Sequence, residues 1–151
     1  MTTTADLFLQ GVWFLGSLAA ASILDGRKRI IPDSICLLTA AAGLISFSPA
    51  QLAGVLAALP LLIAALIRPD GMGGGDIKLT AAAGFVLGFW PGLWGLALGL
   101  LLAVLFSCAA GLLRKFVHHI DLMRGQAAIP LGPFLSAGFA VLYLLTCGGL
   151  L

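Results

Sequence analysis

The chain is poor in charge. Asp, Lys and Arg make up 9% of its 151 residues, and Glu is absent. A soluble domain carries roughly 25% charged residues, so too few polar side chains are available to coat a water-soluble globule. With 61% hydrophobic residues, the composition describes an integral membrane protein. The length fits one membrane-embedded domain over residues 1–151. A net charge of +2 is too small to suggest a nucleic-acid partner.

Cysteine is also scarce. Cys36, Cys108 and Cys147 are scattered, and no C-x-x-C pair occurs. That pattern reads as three buried small apolar residues rather than a disulfide framework or zinc site. Residues 1–6 contain no Lys or Arg, whereas a secretory signal peptide begins with positive charge. The first apolar run is therefore read as a retained transmembrane helix. No internal repeat is visible.

Apolar runs are plentiful, at 7–24, 34–48, 50–67, 77–90, 91–113 and 130–150. Polar or Gly/Pro-rich breaks lie at 25–33, 68–76 and 114–129, with weaker ones at Ser48-Pro49 and Trp90-Pro91-Gly92. Unbroken helices over 34–67 and 77–113 would be roughly 50 and 55 Å long. The hydrocarbon core is only about 30 Å thick, so each stretch folds into a hairpin, with proline supplying the break. The expected fold is all-α, with six transmembrane helices.

Charge tests this count. The eight basic residues are Arg27, Lys28, Arg29, Arg68, Lys78, Arg114, Lys115 and Arg124. Six helices put all of them on one side, which marks the cytoplasmic face. Both termini are then extracytoplasmic. Asp25, at the end of helix 1, and Asp76, at the start of helix 4, share a face and a depth. Ionisable groups beside lipid are costly and point to function.

Two carboxylates in one site share a proton and can divide the work of acid and base. The ionised member takes a proton from water as it attacks a carbonyl; the protonated one serves the leaving group. No metal or cofactor is needed. Bland alternatives exist: Asp25 as a loop residue in water, loosely paired with Arg27 or Arg29, and Asp76 as an N-cap of helix 4. Against the second stand Gly71, Gly73, Gly74 and Gly75 just before Asp76. They are expected to form a loop of little bulk, open to unusual backbone angles or close approach.

The run Gly71-Met72-Gly73-Gly74-Gly75-Asp76-Ile77-Lys78-Leu79 resembles the G-x-G-D motif of the type IV prepilin peptidases. Asp25 followed by Ile31-Pro32-Asp33 is similar to that family's other catalytic segment. Ile129-Pro130-Leu131-Gly132-Pro133-Phe134 resembles the Pro-x-Gly-Pro block that opens its last helix. The resemblance implies an aspartic endopeptidase that removes basic leaders from prepilins and pseudopilins at the cytoplasmic face of the inner membrane. It implies Asp25 and Asp76 as the catalytic pair. Many members also methylate the new N-terminus, using a cytoplasmic segment with paired C-x-x-C cysteines. Neither that segment between helices 1 and 2 nor such cysteines occur here, so a peptidase without methyltransferase activity is expected, similar to short members serving tight-adherence or Flp-type pili.

Other residues carry weaker signals. Lys78 either contacts substrate, tunes the pair or reaches the headgroups. Asp33 is expected to cap helix 2, Asp70-Gly71 to form a turn, and Arg27, Lys28 and Arg29 to face headgroups. Pro130, Gly132 and Pro133 form either a simple helix start or an irregular backbone that pairs with an extended substrate. His118, His119 and Asp121 read as a solvated loop rather than a metal site. Gly84-x-x-x-Gly88 and Gly95-x-x-x-Gly99 permit close helix packing. Two other functions remain open: a small proton- or cation-coupled transporter, and a non-catalytic assembly factor for a membrane complex.

Overall fold

The computed structural model describes residues 4–28, 31–68, 73–116 and 130–147. The fold is all-α, and the described residues contain no strand. Asp70-Gly71, Arg29, His118, His119, Asp121 and Arg124 lie outside the described residues.

Helix α1 spans Thr4–Lys28. It runs through Asp25 instead of ending before it. Gly26, at a cost of about 1 kcal/mol, does not stop it. Helix α2 spans Asp33–Ile45. The extended Pro32 (φ −67°, ψ 142°) is its N-cap, so Asp33 is the first helical residue and not the cap. The preference of the residue before proline for extended backbone keeps α1 and α2 from fusing.

The Ser48-Pro49 break is real. The Ser48 N–H donates to Gln51 Oε1 at 2.9 Å, and the Gln51 N–H donates to the Ser48 carbonyl at 2.9 Å. A 3₁₀ segment, Pro49–Ala58, then runs straight into α3, Leu59–Ile67. Helix α4 spans Gly74–Leu87, α5 spans Phe89–Phe116 and α6 spans Gly132–Cys147.

The turn between α4 and α5 lies at Gly88, not at Trp90-Pro91-Gly92. Gly88 has φ +88°, a left-handed conformation that glycine adopts without strain. Pro91 falls in the first turn of α5, where its missing N–H is not needed.

Among the described residues, three stretches are long and apolar enough to cross a membrane: Asp6–Arg27, Pro49–Ile67 and Phe89–Leu112. Helices α2, α4 and α6 have 13, 14 and 16 residues and reach only roughly 20–24 Å. Phe8, Leu37, Leu66, Ile67, Trp90 and Trp94 are exposed, as a lipid-facing surface requires. Cys36 is buried, but Cys108 and Cys147 are exposed. The expectation of three buried cysteines fails for these two, because a lipid-facing position accepts a small apolar thiol as readily as a core does.

Phe14, Leu18, Leu79, Leu135 and Phe139 are fully buried and tie α1, α4 and α6 together. Glycines bring the backbones close. A Cβ on Gly54 would fall on the Gly84 carbonyl, and one on Gly138 would meet the Gly95 carbonyl and the Gly99 backbone. Gly84, Gly95 and Gly99 therefore lie in tight seams. Gly54→Leu is expected to destabilise the fold by about 1–3 kcal/mol through overpacking. A Cβ on Gly111 meets nothing within 4 Å, so Gly111→Leu should change stability by less than about 0.5 kcal/mol. Thermal unfolding in detergent compares the two.

Candidate active site

The C-terminal end of α1 and the N-terminal ends of α2, α4 and α6 meet at one end of the bundle. Asp25 lies there, in the last turn of α1, and is buried at 7% exposure. A carboxylate at a helix C-terminus is disfavoured by the helix dipole. The start of α6 compensates, since the Gly132 N–H donates to Asp25 Oδ2 at 2.8 Å.

The first donors of α6 are all accounted for. Gly132 serves Asp25, Pro133 has no N–H, and the Phe134 and Leu135 N–H groups both donate to the Leu131 carbonyl at 3.1 Å. A Cβ at position 132 would meet Asp25 Oδ2 at 2.6 Å and Asp25 Cγ at 2.9 Å. Glycine is what lets the carboxylate reach the backbone. Asp25 is thus not a solvated loop residue. The Gly132 N–H is engaged by Asp25, so it is not free to pair with an extended substrate. Pro133 sits in the first turn of α6 and Pro130 just before the helix.

Asp76 is the third residue of α4, with Gly73 as N-cap, so it is not itself the cap. Its N–H donates to the Gly73 carbonyl at 3.1 Å. Asp76 Oδ1 is buried and has no hydrogen-bond partner among the described residues. Asp25 and Asp76 are close enough to interact electrostatically.

The glycines before Asp76 do not form the expected loop. Gly74 and Gly75 are helical, and Gly73 has ordinary extended angles (φ −72°, ψ 131°). Only Gly75 is demanded by packing: a Cβ there would meet Ile31 Cβ at 2.9 Å, whereas one on Gly74 would meet nothing within 4 Å. Gly71 lies outside the described residues. Buried Ile31 thus presses the Ile31-Pro32-Asp33 segment against the start of α4. The Cys36 thiol makes a weak contact with the Gly75 carbonyl at 4.0 Å.

Lys78 pairs with Asp33, Nζ to Oδ1 at 2.7 Å, linking α4 to α2 on the exposed surface. Opposite charges at the starts of two helices on one face are the sequence signal for this pair. Ile31, a motif residue by sequence, acts in the fold as a buttress for Gly75. A cleft of about 450 Å³ lies between α2, the 3₁₀ segment and α4, lined by Cys36, Leu37, Val55, Lys78, Ala82 and Phe85. At 100° per residue these α4 positions occupy the face opposite Asp76. The cleft and the aspartates are separate features.

A buried Asp25 and a half-buried Asp76 at one end of an apolar helical bundle belong to a polytopic membrane protein. The chain belongs to the type IV leader peptidase family, whose sequence profile matches residues 12–114, a stretch that holds Asp25 and Asp76. It is similar to the prepilin leader peptidase/N-methyltransferase of Bacillus subtilis, 33% identical over 88% of this chain and 54% of that protein. It is also similar to proteins of the same name from Burkholderia pseudomallei, 34% identical over 82% of this chain and 42% of that protein, and Xanthomonas campestris, 31% identical over 83% of this chain and 46% of that protein. The chain spans about half the length of these curated relatives. No solved structure matches it.

Proximity of the two carboxylates is open to measurement. With Cys36, Cys108 and Cys147 replaced, the pair Asp25→Cys and Asp76→Cys is expected to crosslink in membranes. Asp25→Cys with Phe85→Cys is expected not to, since Phe85 faces the cleft.

Proposed function

We propose that the chain is a prepilin leader peptidase: an aspartic endopeptidase that hydrolyses the leader of prepilin-like or pseudopilin substrates. Asp25 and Asp76 act as its general acid–base pair. The observation that carries this reading is the unpartnered, buried Asp76 Oδ1 beside an Asp25 already anchored by Gly132. Carboxylates in unlike surroundings can take unlike roles. Membership of a leader peptidase family supports hydrolysis over ion coupling or a purely structural role.

In the reaction, water gives one proton to the ionised carboxylate and its oxygen to the carbonyl carbon. The protonated carboxyl gives its proton to the leaving nitrogen as the C–N bond breaks, so the pair regains its starting proton count. The site works at the cytoplasmic face of the inner membrane, in the same layer as Arg27, Arg68 and Lys78, with both termini on the opposite side. Gly75 and Gly132 shape the site, together with Gly73, Gly74, Pro130 and Pro133 at the helix starts, whereas Lys78 pairs with Asp33 on the opposite face of α4. The short connection between α1 and α2 supports a peptidase that does not methylate its product.

Asp25→Asn and Asp76→Asn are each expected to reduce cleavage of a prepilin by at least about 10²–10⁴-fold while the protein still inserts and folds. Wild-type cleavage by either purified variant would sink the proposal. The product's new N-terminus is expected to carry a free, unmethylated amine, as sequencing or mass analysis would show.

A further inference from the structure

Two buried side-chain atoms among the described residues have no hydrogen-bond partner. One is Asp76 Oδ1; the other is Ser136 Oγ in α6. Ser136 is 5% exposed. A serine inside a helix ordinarily satisfies itself by bonding to a carbonyl one turn back. Thr39, Thr80, Ser107 and Thr146 do so here, to Ile35, Asp76, Ala103 and Leu142. Ser136 does not, although the Gly132 carbonyl lies one turn behind it.

Its place in the fold is informative. Helices α1 and α6 run antiparallel, paired at Asp25 with Gly132 and at Phe14 with Tyr143, whose rings are 5.1 Å apart. These two pairings fix the register. Ser136, one turn into α6 from Gly132, comes level with the buried Ala21, one turn into α1 from Asp25. Gly132, Ser136 and Tyr143 share one helical face, so the hydroxyl lies on the seam that holds Asp25. Helix α4, which carries Asp76, packs against α6.

We propose that Ser136 is a positioning residue of the site, whose hydroxyl and Asp76 Oδ1 together hold the hydrolytic water. A buried water needs about two to four polar partners, and these are the two buried side-chain atoms among the described residues that lack one. The water donates one O–H to the ionised carboxylate of the pair and the other to Ser136 Oγ. Its lone pair is thereby aimed at the scissile carbonyl. This inference rests on the peptidase reading, and adds a group that neither carboxylate supplies.

The test uses the full chain in detergent with a prepilin substrate cleaved by the wild type. Ser136→Ala is expected to lower kcat about tenfold or more with KM unchanged. Ser136→Thr, which keeps the hydroxyl, is expected to recover most of the loss. A Ser136→Ala variant with wild-type kcat and a raised Tm would overturn the proposal, because removing an idle orphan hydroxyl relieves the fold. Equal losses in Ala and Thr variants would overturn it too, pointing to packing alone. If neither variant folds, a high-resolution structure of the intact chain decides: an ordered water bonded to both Ser136 Oγ and Asp76 Oδ1 is expected, and its absence refutes the idea. Asp25→Asn and Asp76→Asn run alongside. Their activity would refute the peptidase reading itself, whereas inactive aspartate variants with an unaffected Ser136→Ala would remove only Ser136.

Discussion

The hydrogen bond from the Gly132 N–H to Asp25 Oδ2 is the contact on which the end of the bundle that carries the two aspartates depends. It joins the first helix to the last and holds a buried carboxylate in an otherwise apolar chain. The negative end of α1 and the positive end of α6 face each other across Asp25, and a charge that α1 alone would disfavour becomes a link between dipoles. The need for glycine at 132 follows directly, since a side chain would occupy the space of the carboxylate.

The second aspartate is held by different means. Asp76 occupies the first turn of α4, and the approach of Ile31 to Gly75 brings the start of that helix against the α1–α2 connection. One carboxylate is bonded to backbone and the other keeps an unpartnered oxygen. In the proposed mechanism this difference in surroundings is what lets two identical side chains divide acid and base roles.

Much of this was legible in the sequence. Low charge and the lengths of the apolar runs led to an all-α membrane fold, and basic residues grouped at one end of the helices agreed with the placement of Asp25 and Asp76. Boundaries were less legible. Asp25 stays helical because nothing between Leu24 and Lys28 is strong enough to end α1, while Pro91 looked like a break but fits a first turn. The glycines before Asp76 suggested a loop; two of them instead open α4, and only Gly75 answers a packing demand. The bond from Gly132 to Asp25 was out of reach because it joins residues that only the folded register brings together. The Asp33–Lys78 pair depended on the same register.

The 3₁₀ segment Pro49–Ala58 has a consequence for membrane thickness. Such a helix rises about 2.0 Å per residue against about 1.5 Å for an α-helix, so these ten residues cover about 5 Å more than α winding would allow. Three residues per turn also stack Gly54 above Ala57, and this line meets Gly84 and Gly92. Rewinding to α would shorten the rod and turn that line aside by about 20° per residue. Bilayers differ in thickness by only a few Å, the same scale as this change of winding. The close contacts of Gly54 and Ala57 with Gly84 on α4 and Gly92 on α5 fit the segment at its longer, 3₁₀ length.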